Sequence, residues 1–460
     1  MKAVELLSLL GVIALLVEIF NFKKLLFPIV ILGLIGTIAV AVKDWNTNIH
    51  YYNDMLNFDN YAIVFTVLIV VIALFWFGIF NNYFEERTNL TDHFALALFS
   101  ILGAVIMVSY SNMTMLFLGI EILSLPLYVL AGSRKTSTAS NEASFKYFLM
   151  GSFATGFLLF GIALIYGVTM SFDLPTIGMF VANHINNLPG LFYVGMLMML
   201  VGLAFKVSAV PFHFWVPDVY DGAPTAITTF MATIVKTAGF AAFFRLFYEC
   251  FSLLGVTWHD LLWIMIALTI ILGNITAIYQ KSVKRMLAYS SIAHAGYMLL
   301  AILAMNKISA GAILYYAAAY SMATIIAFAA LQIVSEKQNS ENYDAFDGLN
   351  KKNPLLAFVL AISMLSLSGI PPMSGFFGKY YLFTAAFTSN YKWITLIAIS
   401  GSLISIGYYF RLIIAAYFKK SSDDTVIGIS TLQKIILIAA TLVVLLLGIF
   451  PDLIIRLPLL

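Results

Sequence analysis

A succession of about fourteen apolar stretches, running from Val4 to Phe20 at the start and from Leu432 to Ile455 at the end, constrains this chain more than any other feature. At 1.5 Å rise per residue, about 20 helical residues cross a hydrocarbon core of about 30 Å. The expected fold is therefore an all-α polytopic membrane protein with about fourteen transmembrane helices. Composition excludes the alternatives. Hydrophobic residues make up 62% of the chain and charged residues 10%, against roughly 45–50% and about 25% in soluble domains. So few charges cannot cover a soluble surface, and a mean hydropathy of +0.96 removes a cytosolic enzyme, a nucleic-acid reader and a disordered protein together. The start, Met1-Lys2-Ala3-Val4-Glu5, leads into the first stretch with no small-residue cleavage site, so it reads as a retained helix. One cysteine, Cys250, leaves no internal disulfide, iron–sulfur cluster or cysteine zinc site, and any redox chemistry belongs to a partner.

Charge placement orients the chain. With the N-terminus outside, fourteen basic residues, Arg87, Lys284 and Arg285 among them, fall on the cytoplasmic side, against six, including Arg245, on the other. Both termini should then be periplasmic. Five bases remain inside apolar stretches: Lys146, Lys206, Lys236, Lys379 and Arg411. Lys146 and Arg411 lie near segment ends, where a long side chain reaches the headgroups. The other three lie too deep for that. Glu121 sits mid-segment in Met-Leu-Phe-Leu-Gly-Ile-Glu-Ile-Leu-Ser-Leu-Pro. A charge at the bilayer centre costs roughly 2.5–3.5 kcal/mol or more, so these four groups need partners or water. They form either an ion-conducting site or buried pairs that only hold helices in register. Three lysines to one central glutamate weigh against simple pairing.

The backbone near these charges is interrupted. Pro126 follows Glu121 by five residues and Pro211 follows Lys206 by five, so in each helix the carbonyl just past the charge should lose its donor. Segment seven, Gly190 to Trp215, and segment twelve, Pro354 to Phe387, exceed one simple span and contain Pro211 and Pro371-Pro372. Interrupted helices at matching places suggest two inverted repeats. The expected organisation of residues 1–460 is a single membrane domain: helices one to three in 1–93, a first repeat of helices four to eight in 94–260, a second of helices nine to thirteen in 261–420, and helix fourteen in 421–460. His294, within Ser-Ser-Ile-Ala-His-Ala-Gly-Tyr, suits a proton relay, or equally a neutral histidine bonded to a neighbouring Ser or Tyr. His213, seven residues after Lys206, ranks below the lysines because Pro211 makes its direction uncertain. No phosphate loop, paired-histidine metal motif or Ser-His-Asp set is apparent.

The stretch Lys206-Val-Ser-Ala-Val-Pro-Phe-His-Phe-Trp-Val-Pro-Asp-Val-Tyr-Asp-Gly-Ala-Pro-Thr225 resembles the signature of the antiporter-like membrane subunits of proton-pumping NADH:quinone oxidoreductase, respiratory complex I. Its Pro-Asp-x-Tyr-x-Gly-Ala-Pro-Thr form is most similar to the N branch. The Ser-Ser-Ile-Ala-His-Ala-Gly-Tyr and Ser-Gly-Ile-Pro-Pro-Met-Ser-Gly-Phe-Phe-Gly-Lys stretches look the same way, and the resemblance covers nearly the whole chain. It implies a fourteen-helix fold with two inverted five-helix repeats. It also implies a mid-membrane proton path through Glu121, Lys206, Lys236, His294 and Lys379. No cofactor is implied in this chain. NADH, FMN, iron–sulfur clusters and quinone would belong to partner subunits: neighbouring membrane-arm subunits directly, and the peripheral redox arm indirectly. The setting implied is a bacterial inner membrane, with the lipid bilayer and no nucleic acid as surroundings. The largest sister subunit has a long C-terminal lateral helix, for which a chain ending at Leu460 has no room. The middle-sized sister typically has a glutamate where Lys379 stands. Subunits of cation (Na⁺)/proton antiporter complexes share the fold but match the Pro-Asp-Val-Tyr-Asp-Gly-Ala-Pro segment less well, and they remain the alternative.

Overall fold

A computed structural model describes residues 2–20, 22–85, 90–421 and 425–457. Arg87, counted above on the cytoplasmic side, lies outside the described residues. Each expected apolar stretch is helical over most of its length, and eleven helical stretches among the described residues are long and apolar enough to cross a membrane. Three features separate that count from fourteen. Lys2–Ile19 carries Lys2, Glu5 and Glu18. The segment around Pro371 is two short helices, and the eighth and ninth stretches run on as one helical stretch, Thr225–Ile278.

Short polar residues start the helices by satisfying backbone donors that the first turn leaves free. Asn112 accepts from Thr114 N ahead of Met113–Ala131, Ser282 from Arg285 N ahead of Val283–Ala304, and Asn353 from Leu356 N ahead of Pro354–Ser368. Val283–Ala304 and Ser309–Gln338 form the centre of the bundle and are buried on almost every side. Lys23–Lys43 and Thr138–Thr169 lie outside and turn Leu and Phe outward. Close helix crossings use small residues, since lipid offers no hydrophobic drive for association. A Cβ on Gly103 would come within 2.3 Å of Leu123 N, and one on Gly273 within 2.6 Å of Ala293 N. A hairpin of Ile49–Tyr51 and Leu56–Phe58 and a short amphipathic helix, Leu174–His184, were not foreseen from the hydropathy pattern.

Both long segments are broken. Gly190–Val207 ends with Ser208 in the left-handed region at φ 69°, and Trp215–Gly222 resumes after a turn containing a cis Val210-Pro211 bond. Pro354–Ser368 ends with Gly369 at φ 84°, and Ser374–Thr388 resumes after a cis Pro371-Pro372 bond. The helix stops before Pro211, so the expected loss of one donor inside a continuous helix applies only to Pro126, which does lie within Met113–Ala131. The eighth segment is also irregular. A π-helical turn, Met231–Val235, separates Thr225–Phe230 from Lys236–Leu246, and a second, Phe247–Phe251, follows. Such turns recur at functional sites, and Lys236 is the first residue after this one.

Candidate functional site

Lys206 occupies the last turn of Gly190–Val207, where the free carbonyls of the helix end favour a cation. Its Nζ donates to Ser124 Oγ at 2.6 Å, and Ser124 Oγ donates in turn to the Ile120 carbonyl. Ser124 is one turn beyond Glu121 on Met113–Ala131. Glu121 is only partly buried and makes no ion pair within 4.0 Å among the described residues, although it lies close enough to act electrostatically on Lys206 and Tyr128. A direct contact between Glu121 and Lys206 is thus replaced by a serine. The stem of Lys206 packs near Gly239, one turn from Lys236.

Lys236 is 1% exposed and donates to the Ser291 carbonyl on Val283–Ala304. One turn along that helix stands His294, also buried. Its Nδ1 lies 2.5 Å from Tyr316 Oη and its Nε2 lies 2.8 Å from Tyr409 Oη. Tyr409 donates to Ser290 Oγ at 2.9 Å, and Ser290 donates to the Leu287 carbonyl at 3.2 Å. One arrangement of hydrogens uses every donor once: Tyr316 O–H to Nδ1, Nε2–H to Tyr409, Tyr409 O–H to Ser290, and Ser290 O–H to Leu287. It contains a neutral histidine between two tyrosines. Each hydroxyl both donates and accepts, so the links between Tyr316 and Ser290 can also run in the opposite sense.

Lys379 lies in Ser374–Thr388, after the second break, and reaches back across it. Nζ donates to the Ser368 carbonyl at 2.8 Å and to Ser402 Oγ at 2.9 Å, and it stands 5.2 Å above the centre of the Tyr297 ring. Ser368 is the last residue of Pro354–Ser368. Lys206 and Lys379 therefore both sit at the C-terminal end of a broken half-helix.

Ion pairs that hold helices in register do exist here, but away from the three central lysines. Arg245, 4% exposed, grips Asp59 with one nitrogen at 2.7 and 2.9 Å, and Glu249 lies 3.9 Å from another. Lys146 lies 2.7 Å from both Glu142 and Asp218 and belongs to an ion cluster with Arg285 and Asp221. Lys284, placed above on the cytoplasmic surface, is buried and bonds the Asp221 and Ala223 carbonyls beside Glu341. Arg411 stays exposed over Tyr343. Among the described residues, no carboxylate lies within 4.0 Å of the amines of Lys206, Lys236 or Lys379. Their partners are hydroxyls and carbonyls. His213 falls in the first break, against Phe214, and its Nδ1 has no hydrogen-bond partner among the described residues. It does not share a helical face with Lys206.

The positioning residues Ser124, Tyr297, Tyr316, Ser402 and Tyr409 escaped the sequence reading, because small polar and aromatic residues are common in apolar helices for packing alone. The spacing Ser290-Ser291, His294, Tyr297, at helical intervals on one face, was the available signal.

Fold and site together define a class: a helical membrane protein whose interior carries buried bases held by neutral partners. The family model described as NADH:quinone oxidoreductase/Mrp antiporter, TM, matches residues 111–405. A NADH-quinone oxidoreductase subunit N from Cytophaga hutchinsonii is 45% identical over 458 residues, 99% of each chain. A chain of respiratory complex I from Thermus thermophilus matches with a TM-score of 0.84 at 33% identity, covering 98% of both. A chain of the Mrp complex from Dietzia sp. matches with a TM-score of 0.88 over 99% of this chain and 96% of that one, and at 19% identity shares the fold alone. This chain belongs to the NADH-quinone oxidoreductase subunit N family of antiporter-like membrane proteins.

Proposed function

We propose that this chain is a proton-translocating membrane-arm subunit of an NADH:quinone oxidoreductase, in which Glu121, Lys206, Lys236, His294 and Lys379 carry protons along the middle of the membrane. The observation that carries the reading is the setting of the three lysines, buried with hydroxyl and carbonyl partners and, among the described residues, no carboxylate within 4.0 Å. An amine donates to a carbonyl with or without its extra proton, so these bonds hold the nitrogen in place without fixing its charge. A matched carboxylate would fix it.

Translocation would run in four moves. Approach of Glu121 towards Lys206 favours the ammonium, and retreat of Glu121 releases the proton towards Lys236, whose helix Lys206 already touches. From Lys236 the proton passes by water to the Tyr409–His294–Tyr316 relay, where each transfer reverses a hydrogen bond. Lys379 receives it beyond Tyr297 and delivers it to the outer side. The energy that moves Glu121 comes from partner subunits, to which we assign NADH, FMN, the iron–sulfur clusters and quinone. We assign no redox cofactor to this chain, whose one cysteine, Cys250, is buried with its thiol near the Leu174 carbonyl.

The same reading places the chain in a bacterial inner membrane with both termini periplasmic, supported by the bias of basic residues. It takes 94–260 and 261–420 as inverted repeats within a fourteen-helix fold. Support comes from the two broken segments, each with a lysine at the C-terminal end of its first half. A cation/proton antiporter subunit is the rival, and near full-length identity to a subunit N favours the oxidoreductase over it. Purification of the tagged chain from its own membranes in mild detergent, followed by a native gel stained for NADH oxidation, separates the two. Activity co-migrating with the chain in a very large assembly is expected. A smaller assembly without NADH activity would overturn the reading in favour of ion exchange.

A further inference from the structure

The helix Lys392–Phe418 contributes three side chains to the buried line. Ser402 accepts from Lys379, Tyr409 bonds His294, and Tyr408, beside it, donates to Asn274 Oδ1 at 3.0 Å. Asn274 is fully buried on the helix Gly255–Ile278. Its Nδ2 donates to the Ile270 carbonyl at 2.8 Å and to Tyr297 Oη at 3.1 Å. A carbonyl can only accept, so the Ile270 bond sets which end of the amide is nitrogen, and Tyr408 serves the other end. The amide nitrogen thereby holds Tyr297, while Ile270 and Tyr408 hold the amide itself, and the Tyr297 ring face lies beneath the Lys379 amine. Gly401 leaves room for the pair: a Cβ there would stand 2.9 Å from Asn274 Nδ2 and 3.3 Å from Tyr297 Oη.

We propose that Asn274 is a positioning residue for Lys379, fixing the Tyr297 ring so that its negative face receives the ammonium when Lys379 holds a proton. Asn274 touches neither Lys379 nor the proton path. It acts by anchoring the outer end of the ring at Oη, so that the ring is not swung away from its place beside the amine. The proposal rests on the reading of Lys379 as a proton-carrying group.

The test uses inverted membrane vesicles holding the complete oxidoreductase, with NADH-driven acidification measured per NADH oxidised. Lys379→Ala, Asn274→Leu, Tyr297→Phe and the double variant Asn274→Leu/Tyr297→Phe are compared. Lys379→Ala should lose pumping. Asn274→Leu and Tyr297→Phe, which each cut the same tether and keep the ring or its neighbours, should each lose at least half as much at an unchanged amount of assembled complex. The double variant should lose no more than the worse single, because one tether can be cut only once. Full pumping by both singles, losses that multiply in the double variant, or losses confined to the amount of complex would overturn the proposal. Should Asn274→Leu not assemble, Tyr297→Phe and Tyr408→Phe, both near-isosteric, decide it by the same criteria. Full pumping by Lys379→Ala would remove the underlying reading and the proposal with it, whereas loss there with none in the other variants would remove the proposal alone.

Discussion

The Lys379 amine lies 2.8 Å from the Ser368 carbonyl, the last of the half-helix that precedes its own. A helix C-terminus carries partial negative charge on carbonyls that no following turn uses. The break therefore offers a place for positive charge where, among the described residues, no carboxylate stands within 4.0 Å. Lys206 also stands in the last turn of a half-helix, Gly190–Val207, but its amine donates to the Ser124 hydroxyl.

Gly369 makes this geometry possible. At φ 84° it sits where a side chain is strained, and a Cβ there would come within 2.9 Å of Lys379 Cδ and 3.2 Å of Nζ. Gly369→Ala should destabilise the fold by about 1–2 kcal/mol and displace the amine, lowering both the thermal unfolding midpoint of the purified complex and the pumping per NADH. An unchanged midpoint with unchanged pumping would contradict it.

Lys236→Arg separates a titrating group from a fixed charge. Arginine can still donate to the Ser291 carbonyl but does not release its proton. The expected outcome is loss of proton pumping in vesicles whose content of assembled complex, judged by native gel, is normal. Pumping at the unaltered rate would show that only the charge matters.

Tyr409→Phe removes the hydroxyl that links His294 Nε2 to Ser290 at 2.8 and 2.9 Å while leaving the ring in place. Pumping should slow by about tenfold or more, a modest loss for a proton-transfer group. A normal rate of acidification would return His294 to a purely structural role between two tyrosines.

The Arg245–Asp59 pair should behave in the opposite manner. Arg245→Ala leaves Asp59 partly buried and unpaired, at a cost of about 2–3 kcal/mol; the figure is at the low end for a buried pair because Asp59 is 23% exposed. Less complex should assemble, while pumping per assembled complex stays the same. The check is acidification normalised to the amount of the chain. A fall in the normalised value would draw Arg245 into the proton path.

The broken segments were legible because proline and length announce them, and Lys206, Lys236 and Lys379 because a base deep in an apolar stretch has few structural excuses. What sequence could not supply was the register between segments. Nothing in Met113–Ala131 tells that Ser124, rather than Glu121, faces Lys206. Lys284 read as a surface residue, since burial at a helix start depends on the Asp221 and Ala223 carbonyls, some sixty residues earlier in the chain. The π-helical turn before Lys236 likewise leaves no mark in the pattern of apolar residues, because Met231–Val235 is buried on every side.

Simultaneous neutralisation of Lys206 and Lys379 to alanine, read as NADH-driven acidification of inverted vesicles from cells with normal amounts of assembled complex, tests most directly whether the buried lysines carry protons. Translocation along this line requires that pumping collapse while the complex remains intact on a native gel. Pumping at the unaltered rate would show the subunit to be a passive spacer, with its buried bases kept for folding.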